Sequence, residues 1–353
     1  MAGIGFGVRL PVAGPLAQAA TIKQAVITAE ELGFDTAWVH DFVIWTKQLD
    51  ELHISCGSAD AVDAAGPDYP PVFYESLANL AFCAAVTERI RLGVAVLCLP
   101  YREPIVTAKQ IATIDALSGG RVDLGIGQGA PKQTFNVDFE VLGIPRSNKT
   151  ARTREHFEAM RKVWTEAPAS YHGEMVQFED AIVYPRPVQA PYPPIWIGGS
   201  APLSLDLVAD YADGWLSFFV PPAHFPTAIA GLHERLEARG RAPASLTIAS
   251  ELYCVMAETT AEAERRAGPT MDRFGAAMAG TTGRFSPSGQ STDTYAEVYE
   301  ASLVGSPADV RERLAEYVAA GVGYFELKFL YRTIDEMFWQ WRTFADEVMP
   351  AFR

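Results

Sequence analysis

His40 and Asp41 stand directly after a short apolar run, Thr36 to Val39, with Phe42 beside them. An imidazole titrates near neutral pH, and a neighbouring carboxylate can orient it or take a proton itself, so this pair could do acid–base work. His53 and Tyr74, in the polar stretch that follows, are further candidates for a proton role. Gly125, Gly127 and Gly129 alternate at the end of a second apolar run. Lacking a Cβ, they let another group come close to the backbone. Their G-x-G-x-G spacing, followed by Pro131, does not match the G-x-G-x-x-G that opens a helix in dinucleotide sites. A tight strand exit with no ligand is the other reading. Lys149 and Arg152 lie near the start of a helical stretch, where free backbone N–H groups favour anions. Gly198, Gly199 and Ser200 join an apolar run to another helix. Such a link can cradle a phosphate, and a plain strand-to-helix turn is an equal reading. His53 and Cys56 form an H-x-x-C pair, but no second pair is near, so no metal site is expected.

These residues need elements to hold them. Ile4 to Leu10 alternates as a first strand and ends at Pro11. Ile22, Ala25, Val26, Ala29 and Leu32 recur at helical spacing, with Gly33 as the cap. Further strand signals fall at 36–39, 90–99, 121–127, 195–197, 213–218, 247–256 and 324–330. Helical patterns lie between most of them, and Ser306-Pro-Ala-Asp309 reads as a capping box. Eight strands, most followed by a helix, predict an α/β fold, a (β/α)8 TIM barrel with insertion loops at its C-terminal mouth. A doubly wound open sheet is the alternative. The chain reads as a single domain over 1–353, with 45–74 an active-site loop insertion. Gly268 to Thr294 is rich in Gly, Ser, Thr and Pro, so 268–303 reads as a mobile insertion or lid.

Composition narrows the partners. A net charge of −14 argues against nucleic acid or an anionic membrane as the main partner. With 353 residues, 49% of them hydrophobic, the chain can bury one large core. The four cysteines include no C-x-x-C pair, and Cys83 and Cys98 sit in apolar runs as core residues. No apolar run reaches membrane-spanning length, and the expectation is a soluble cytoplasmic protein.

Five segments occur in order along nearly the whole chain: Leu97 to Pro104 (LCLPYREP), Leu117 to Gly129, Pro194 to Gly199 (PIWIGG), Ala212 to Trp215 (ADGW) and Gly305 to Gly323. Together they resemble the bacterial luciferase-like monooxygenase superfamily, and more closely its deazaflavin branch, which uses coenzyme F420. The resemblance implies a TIM barrel with a flavin or deazaflavin in its C-terminal mouth. Carried over by position, Ala95 and Val96 would lie behind the ring, where relatives often have a non-proline cis peptide. Gly127, Gln128 and Gly129 would edge the cofactor. Ile197, Gly198, Gly199 and Ser200 would hold its phosphate, with Lys149 and Arg152 helping. Relatives commonly carry Asp-His at the end of the second strand. Here Asp41 is kept and Phe42 takes the histidine's place, while His40, two residues back, can share a face with Phe42. Sugar-phosphate dehydrogenases of the deazaflavin branch carry a glutamate after G-x-G. Ala130 stands there, which argues against sugar-phosphate oxidation.

The resemblance implies F420-dependent hydride transfer to or from a small apolar or aromatic substrate. His40, Asp41 and His53 are then the catalytic candidates, and Phe42, Trp45, Cys56 and Tyr74 the substrate-binding ones. The alternative is a two-component monooxygenase using reduced FMN and O2, with a separate reductase supplying the cofactor. A third reading is a barrel that binds a cofactor without turnover. Relatives are often dimers, so a homodimer is expected.

Overall fold

The computed structural model describes residues 3–44, 59–66, 72–129, 137–278 and 294–353. Four strands pair in chain order: β1 (Gly5–Arg9), β2 (Thr36–Val39), β3 (Arg91–Cys98) and β4 (Val122–Gly127). β5 (Ala169–His172) and β6 (Gln177–Ala181) form an antiparallel hairpin outside this sheet. β7 (Ile195–Gly198) then pairs with β4, β8 (Gly214–Phe218) with β7, and β9 (Thr247–Met256) with β8. β10 (Leu303–Gly305) flanks the end of β9, and β11 (Tyr324–Phe329) joins β9 to β1. The eight strands β1-β2-β3-β4-β7-β8-β9-β11 therefore close into a parallel barrel, as the strand and helix spacing predicts. Closure rules out the open sheet.

The helices run α1 (Ala19–Glu31), α2 (Ala59–Ala65), α3 (Ser76–Ala84), α4 (Pro104–Ser118), α5 (Val137–Val141) and α6 (Lys149–Thr165). They continue as α7 (Pro202–Tyr211), α8 (Phe225–Glu237), α9 (Thr260–Met278), α10 (Thr294–Glu300), α11 (Pro307–Ala319) and α12 (Ile334–Thr343). α11 has the capping box its sequence predicts, with Ser306 and Asp309 satisfying each other's backbone N–H. The paired glycines after α4 take positive φ, Gly119 at 70° and Gly120 at 85°. The chain can reverse there at no steric cost.

Three segments depart from the sequence reading. The β5–β6 hairpin is not predicted, because its residues are mostly polar and do not alternate. The stretch after Phe42 contains α2 rather than being loop throughout. The third departure is α9, which does not give way at Gly268 but runs through Pro269 to Met278. Ala263, Ala267, Met271 and Phe274 are all buried at i, i+4, i+8 and i+11, and that continuous apolar face outweighs the proline's lost hydrogen bond. Of the rest of that insertion, residues 279–293 lie outside the described residues, and Thr294–Glu300 forms α10. α9 is tied to α2 by an ion pair between Arg273 Nη2 and Asp63 Oδ2 at 2.6 Å.

The barrel has two apolar zones. Outward side chains such as Phe6, Val8, Leu92, Leu124 and Ile195 join the helices in one large core. Inside, toward the N-terminal end, Trp38, Trp196 and Tyr324 form an aromatic plug, with Trp38 Nε1 donating to Tyr324 Oη at 2.9 Å. The wall is thinned to fit it. A Cβ on Gly93 would lie 2.2 Å from the Trp38 ring, and one on Gly214 would lie 2.1 Å from the Trp196 ring. The plug fills that end of the interior, so space for a ligand is to be sought at the C-terminal mouth. Among the described residues no helix is long and apolar enough to cross a membrane.

Candidate active site

β3 breaks its register with β4 between Val94 and Leu97. At the break the Ala95–Val96 peptide is cis, where the family resemblance locates such a bond. The Val96 side chain leans over the inward positions of the next strands. A Cβ on Gly127 would lie 2.4 Å from Val96 Cγ2, and one on Gly198 would lie 3.3 Å from Val96 Cγ1. On Gly125 it would lie 2.1 Å from the Val94 carbonyl oxygen. What comes close to this glycine-tipped strand is the bulge of its own neighbour. Together they make an apolar wall at the mouth, in which the Val96 side chain covers Gly127 and Gly198.

Beside this wall two helix N-termini converge. α6 starts after Asn148 and α7 after Ala201, and neither has a side chain capping its free N–H groups. Gln128 bridges them. Its amide nitrogen donates to Ser204 Oγ in α7 at 3.0 Å, and its oxygen accepts from Thr150 Oγ1 in α6 at 2.5 Å. Lys149 Nζ donates to the Gly129 carbonyl at 3.0 Å, and Arg152 Nε is buried with no hydrogen-bond partner among the described residues. Gly199 has φ 102°, which turns the backbone toward Ser200 and α7. Uncapped N–H groups, a lysine and an orphaned guanidinium nitrogen fit a phosphate. Ile197 differs from its neighbours: its side chain packs outward in the main core, so only its backbone faces this region.

The proposed acid–base pair splits into two environments. Asp41 is fully engaged: its carboxylate accepts from Ser76 Oγ at 2.8 Å, Cys98 N at 3.1 Å, and Arg102 Nε and Nη2 at 3.2 and 2.5 Å. It clamps the end of β2 to α3 and to the end of β3. Asp138 in α5 accepts from Val43 N and Ile44 N at 2.9 and 2.7 Å and fixes the same exit. Burial raises its pKa, against those two hydrogen bonds. We expect Asp41→Asn to cost about 2–3 kcal/mol, the range for hydrogen bonds to a charged group. At about 0.7 kcal/mol per degree for a chain of this length, the melt drops by roughly 3–4 °C. An unchanged melt with abolished turnover would make Asp41 catalytic instead.

His40 points into the barrel, continuing the inward set of Thr36 and Trp38. It is 4% exposed, and neither ring nitrogen has a hydrogen-bond partner among the described residues. Burial, then Arg9 and Lys328, push its pKa well below the usual histidine value, so the ring is neutral. Phe73 packs edge-on against it at 4.8 Å and against Phe42 at 5.4 Å. Phe42 also packs on a second apolar cluster that includes Phe219, Tyr253 and Phe274. Tyr74 is 37% exposed at the rim. His53, Trp45 and Cys56 lie outside the described residues. Among those residues no group of three or more His, Cys, Asp or Glu side chains is arranged to hold a metal ion.

The sequence reading missed a charged cluster beneath the mouth. Arg9 of β1 donates from Nε and Nη2 to the two Glu326 oxygens of β11 at 2.7 and 2.8 Å. The same Nη2 lies 2.8 Å from Glu251 Oε1 of β9. Lys328, two residues beyond Glu326, sits 4.9 Å from the Tyr253 ring centroid. The signal was present: each charge occupies an inward position in an otherwise apolar strand, where an unpaired charge would be costly.

The family model described as luciferase-like monooxygenase matches residues 6–323. An uncharacterised protein of Mycobacterium tuberculosis is 36% identical over 199 residues, 56% of this chain and 67% of its own. The FMNH(2)-dependent dimethylsulfone monooxygenase of Pseudomonas putida is 27% identical over 73% of this chain and 74% of its own. Among solved structures, the coenzyme F420-dependent tetrahydromethanopterin reductase of Methanopyrus kandleri superposes with a TM-score of 0.74 at 20% identity, covering all of both chains.

Proposed function

Because the chain belongs to the luciferase-like monooxygenase family, we propose that it is an oxidoreductase that binds the deazaflavin F420 in its mouth and moves a hydride to or from a small organic substrate. One observation carries this reading: the apolar wall that the Val96 side chain makes over Gly127 and Gly198 lies beside two uncapped helix N-termini joined through Gln128. A planar ring fits the wall, and its phosphate fits the N–H groups of α6 and α7, with Lys149, Arg152 and Ser200 around it. When bound, the ring supplies or accepts the hydride.

The chain's own residues do the rest. Ala95 and Val96 back the ring and fix which face meets the substrate. Phe42 and Phe73 exclude water on the substrate side, and Tyr74 lies at its rim. His40, neutral and buried, holds a substrate atom by hydrogen bond, while Asp41 keeps the end of β2 in place. The apolar lining of Phe42, Phe73 and Phe219 suits an apolar or aromatic substrate.

A second reading has specific support. The Pseudomonas putida relative is named as an FMNH(2)-dependent monooxygenase, and an isoalloxazine has the same planar shape as the deazaflavin ring proposed for the wall. Fluorescence titration with F420 and with FMN, each oxidised and reduced, separates the two. We expect F420 to bind at least tenfold more tightly, about 1.4 kcal/mol. Tight FMN binding with rapid oxygen uptake by the reduced complex would overturn the deazaflavin reading, and binding of neither would overturn both.

A further inference from the structure

His40 cannot touch a substrate in the conformation described above. Its side chain is almost wholly buried, and neither ring nitrogen has a hydrogen-bond partner among the described residues. A buried polar group left without a bond marks a place that a ligand atom or an ordered water completes. Phe73 lies edge-on against this imidazole, with ring centroids 4.8 Å apart. Two rings in that arrangement are already in contact, so no substrate atom fits between them. For His40 to meet a substrate, Phe73 has to move.

Phe73 is held differently from the other rings of the mouth. Phe42 packs on Phe219, Tyr253 and Phe274, and so on β9 and α9. Phe73 packs on Ala13 and Val62, a small cluster apart from the main core. Its backbone forms an isolated antiparallel bridge with Ala13: Gly14 N donates to the Val72 carbonyl at 2.9 Å, and Tyr74 N to the Val12 carbonyl at 3.0 Å. Behind it stands α2, which carries Val62. α2 is latched to α9 through Asp63, whose oxygens accept from Arg273 Nη1 and Nη2 at 3.0 and 2.6 Å. Both side chains of that pair are exposed, 36% for Arg273 and 55% for Asp63. A small apolar cluster and an exposed ion pair belong to the part of a fold that opens locally, unlike a barrel strand.

We propose that Phe73 gates His40 and selects by width what reaches it. Phe73 withdraws with α2, admits a substrate and closes behind it. The substrate atom that enters then completes the bonding of His40. The opening is the slot that a phenyl ring vacates, with Phe42 fixed on its other side at 5.4 Å. A flat, aromatic group fits such a slot. Phe42, Phe73, Ala13 and Val62 offer nothing to a charge, so the entering end is uncharged, an aromatic ring bearing a carbonyl or hydroxyl group. Phe73 is thus a specificity-determining residue. This deepens the proposed function and rests on it for turnover, but its test does not need the cofactor.

Diethyl pyrocarbonate acylates an unprotonated imidazole nitrogen. Burial keeps His40 unprotonated near neutral pH, so its rate of modification reads access. Peptide mass spectrometry of the full-length protein separates His40 from the exposed His172 and from His156 of α6, which is as buried as His40. His40 should react at least about tenfold more slowly than His172. Phe73→Ala should speed His40 by about tenfold and leave His156 unchanged. Asp63→Asn keeps Phe73 in place and should speed His40 about 2- to 5-fold, the effect of losing an exposed ion pair. The exchanged pair Asp63→Arg/Arg273→Asp should restore the slow rate. Equal rates at His40 and His172 in the wild type overturn the gate, as does equal acceleration of His40 and His156 in Phe73→Ala. Should Phe73→Ala not fold, an Asp63→Asn rate equal to wild type overturns the proposal by itself. Acetophenone should protect His40 in the wild type, whereas the bulky adamantyl methyl ketone should protect it only in Phe73→Ala. Equal protection by both in the wild type overturns selection by width. The F420 and FMN titrations judge the cofactor reading separately.

Discussion

Arg9→Met should be among the most destabilising single substitutions in the chain, lowering the melt by about 4–7 °C. The guanidinium is the common partner of Glu251 and Glu326, and its removal leaves two carboxylates facing each other inside the barrel. Breaking a buried ion pair from one side costs about 3–5 kcal/mol, because the abandoned charge stays desolvated. For 353 residues, at about 2.1 cal/mol/K each, that corresponds to the stated shift. Neutralising the three ion-paired groups in Arg9→Met/Glu251→Gln/Glu326→Gln should recover part of the loss, since of the cluster only Lys328 then keeps a charge. Thermal melts of the two variants check this. Equal melts would mean that the Arg9 side chain matters by packing and not by charge.

The same cluster sets the sign of the pH dependence. Glu326 has a folded pKa of about 8, above its ordinary value of 4.5. Its contribution to stability is fully present below that ordinary value and is lost as pH rises through about 8. His40 is shifted the other way, downward from 6.5. Its contribution is present above that value and is lost as pH falls below it. Removing Glu326 should therefore flatten the alkaline side of the stability profile, and removing His40 the acid side.

How far these features are legible in the sequence depends on the physics behind each. The eight barrel strands are readable because outward apolar residues such as Phe6 and Val8 alternate with inward ones, a period that little else produces. The proposed phosphate cradle is readable in its parts, since Gly199, Lys149 and Arg152 each stand at a helix start. Its bridge is not, because Gln128, Thr150 and Ser204 meet only across three separate elements. Asp41 shows what residue type alone leaves out. A carboxylate after a strand reads as a catalytic candidate, and its four bonds come from α3, β3 and Arg102, contacts with no local pattern. Phe73 has no periodic neighbours to flag it and gains its place only by packing on His40 and Phe42. Inward charges are the opposite case: Arg9, Glu251, Glu326 and Lys328 break apolar runs, and that interruption is itself a readable sign of mutual pairing.

Gly125→Ala should disable the mouth more selectively than Arg9→Met disables the fold. The added Cβ would lie 2.1 Å from the Val94 carbonyl oxygen, and a backbone oxygen cannot rotate away as a side chain can. β3 and β4 are each held on their other edge by β2 and β7, so neither can slide to make room. The strain falls on the segment where register is already broken, between Val94 and Leu97. Overpacking of this kind costs about 1–3 kcal/mol. At about 0.7 kcal/mol per degree the melt should drop by no more than roughly 4 °C. The larger effect is on ligand binding. Val96 moves with Val94, and a wall displaced by a fraction of an ångström no longer meets a planar ring and its phosphate at once. We expect F420 affinity to fall at least tenfold, about 1.4 kcal/mol. Gly120→Ala is the control, since its positive φ strains the substituted residue at a turn remote from the mouth. Equal losses of affinity in the two variants would mean that the effect is general destabilisation, and the bulge would then have no special part in holding the cofactor.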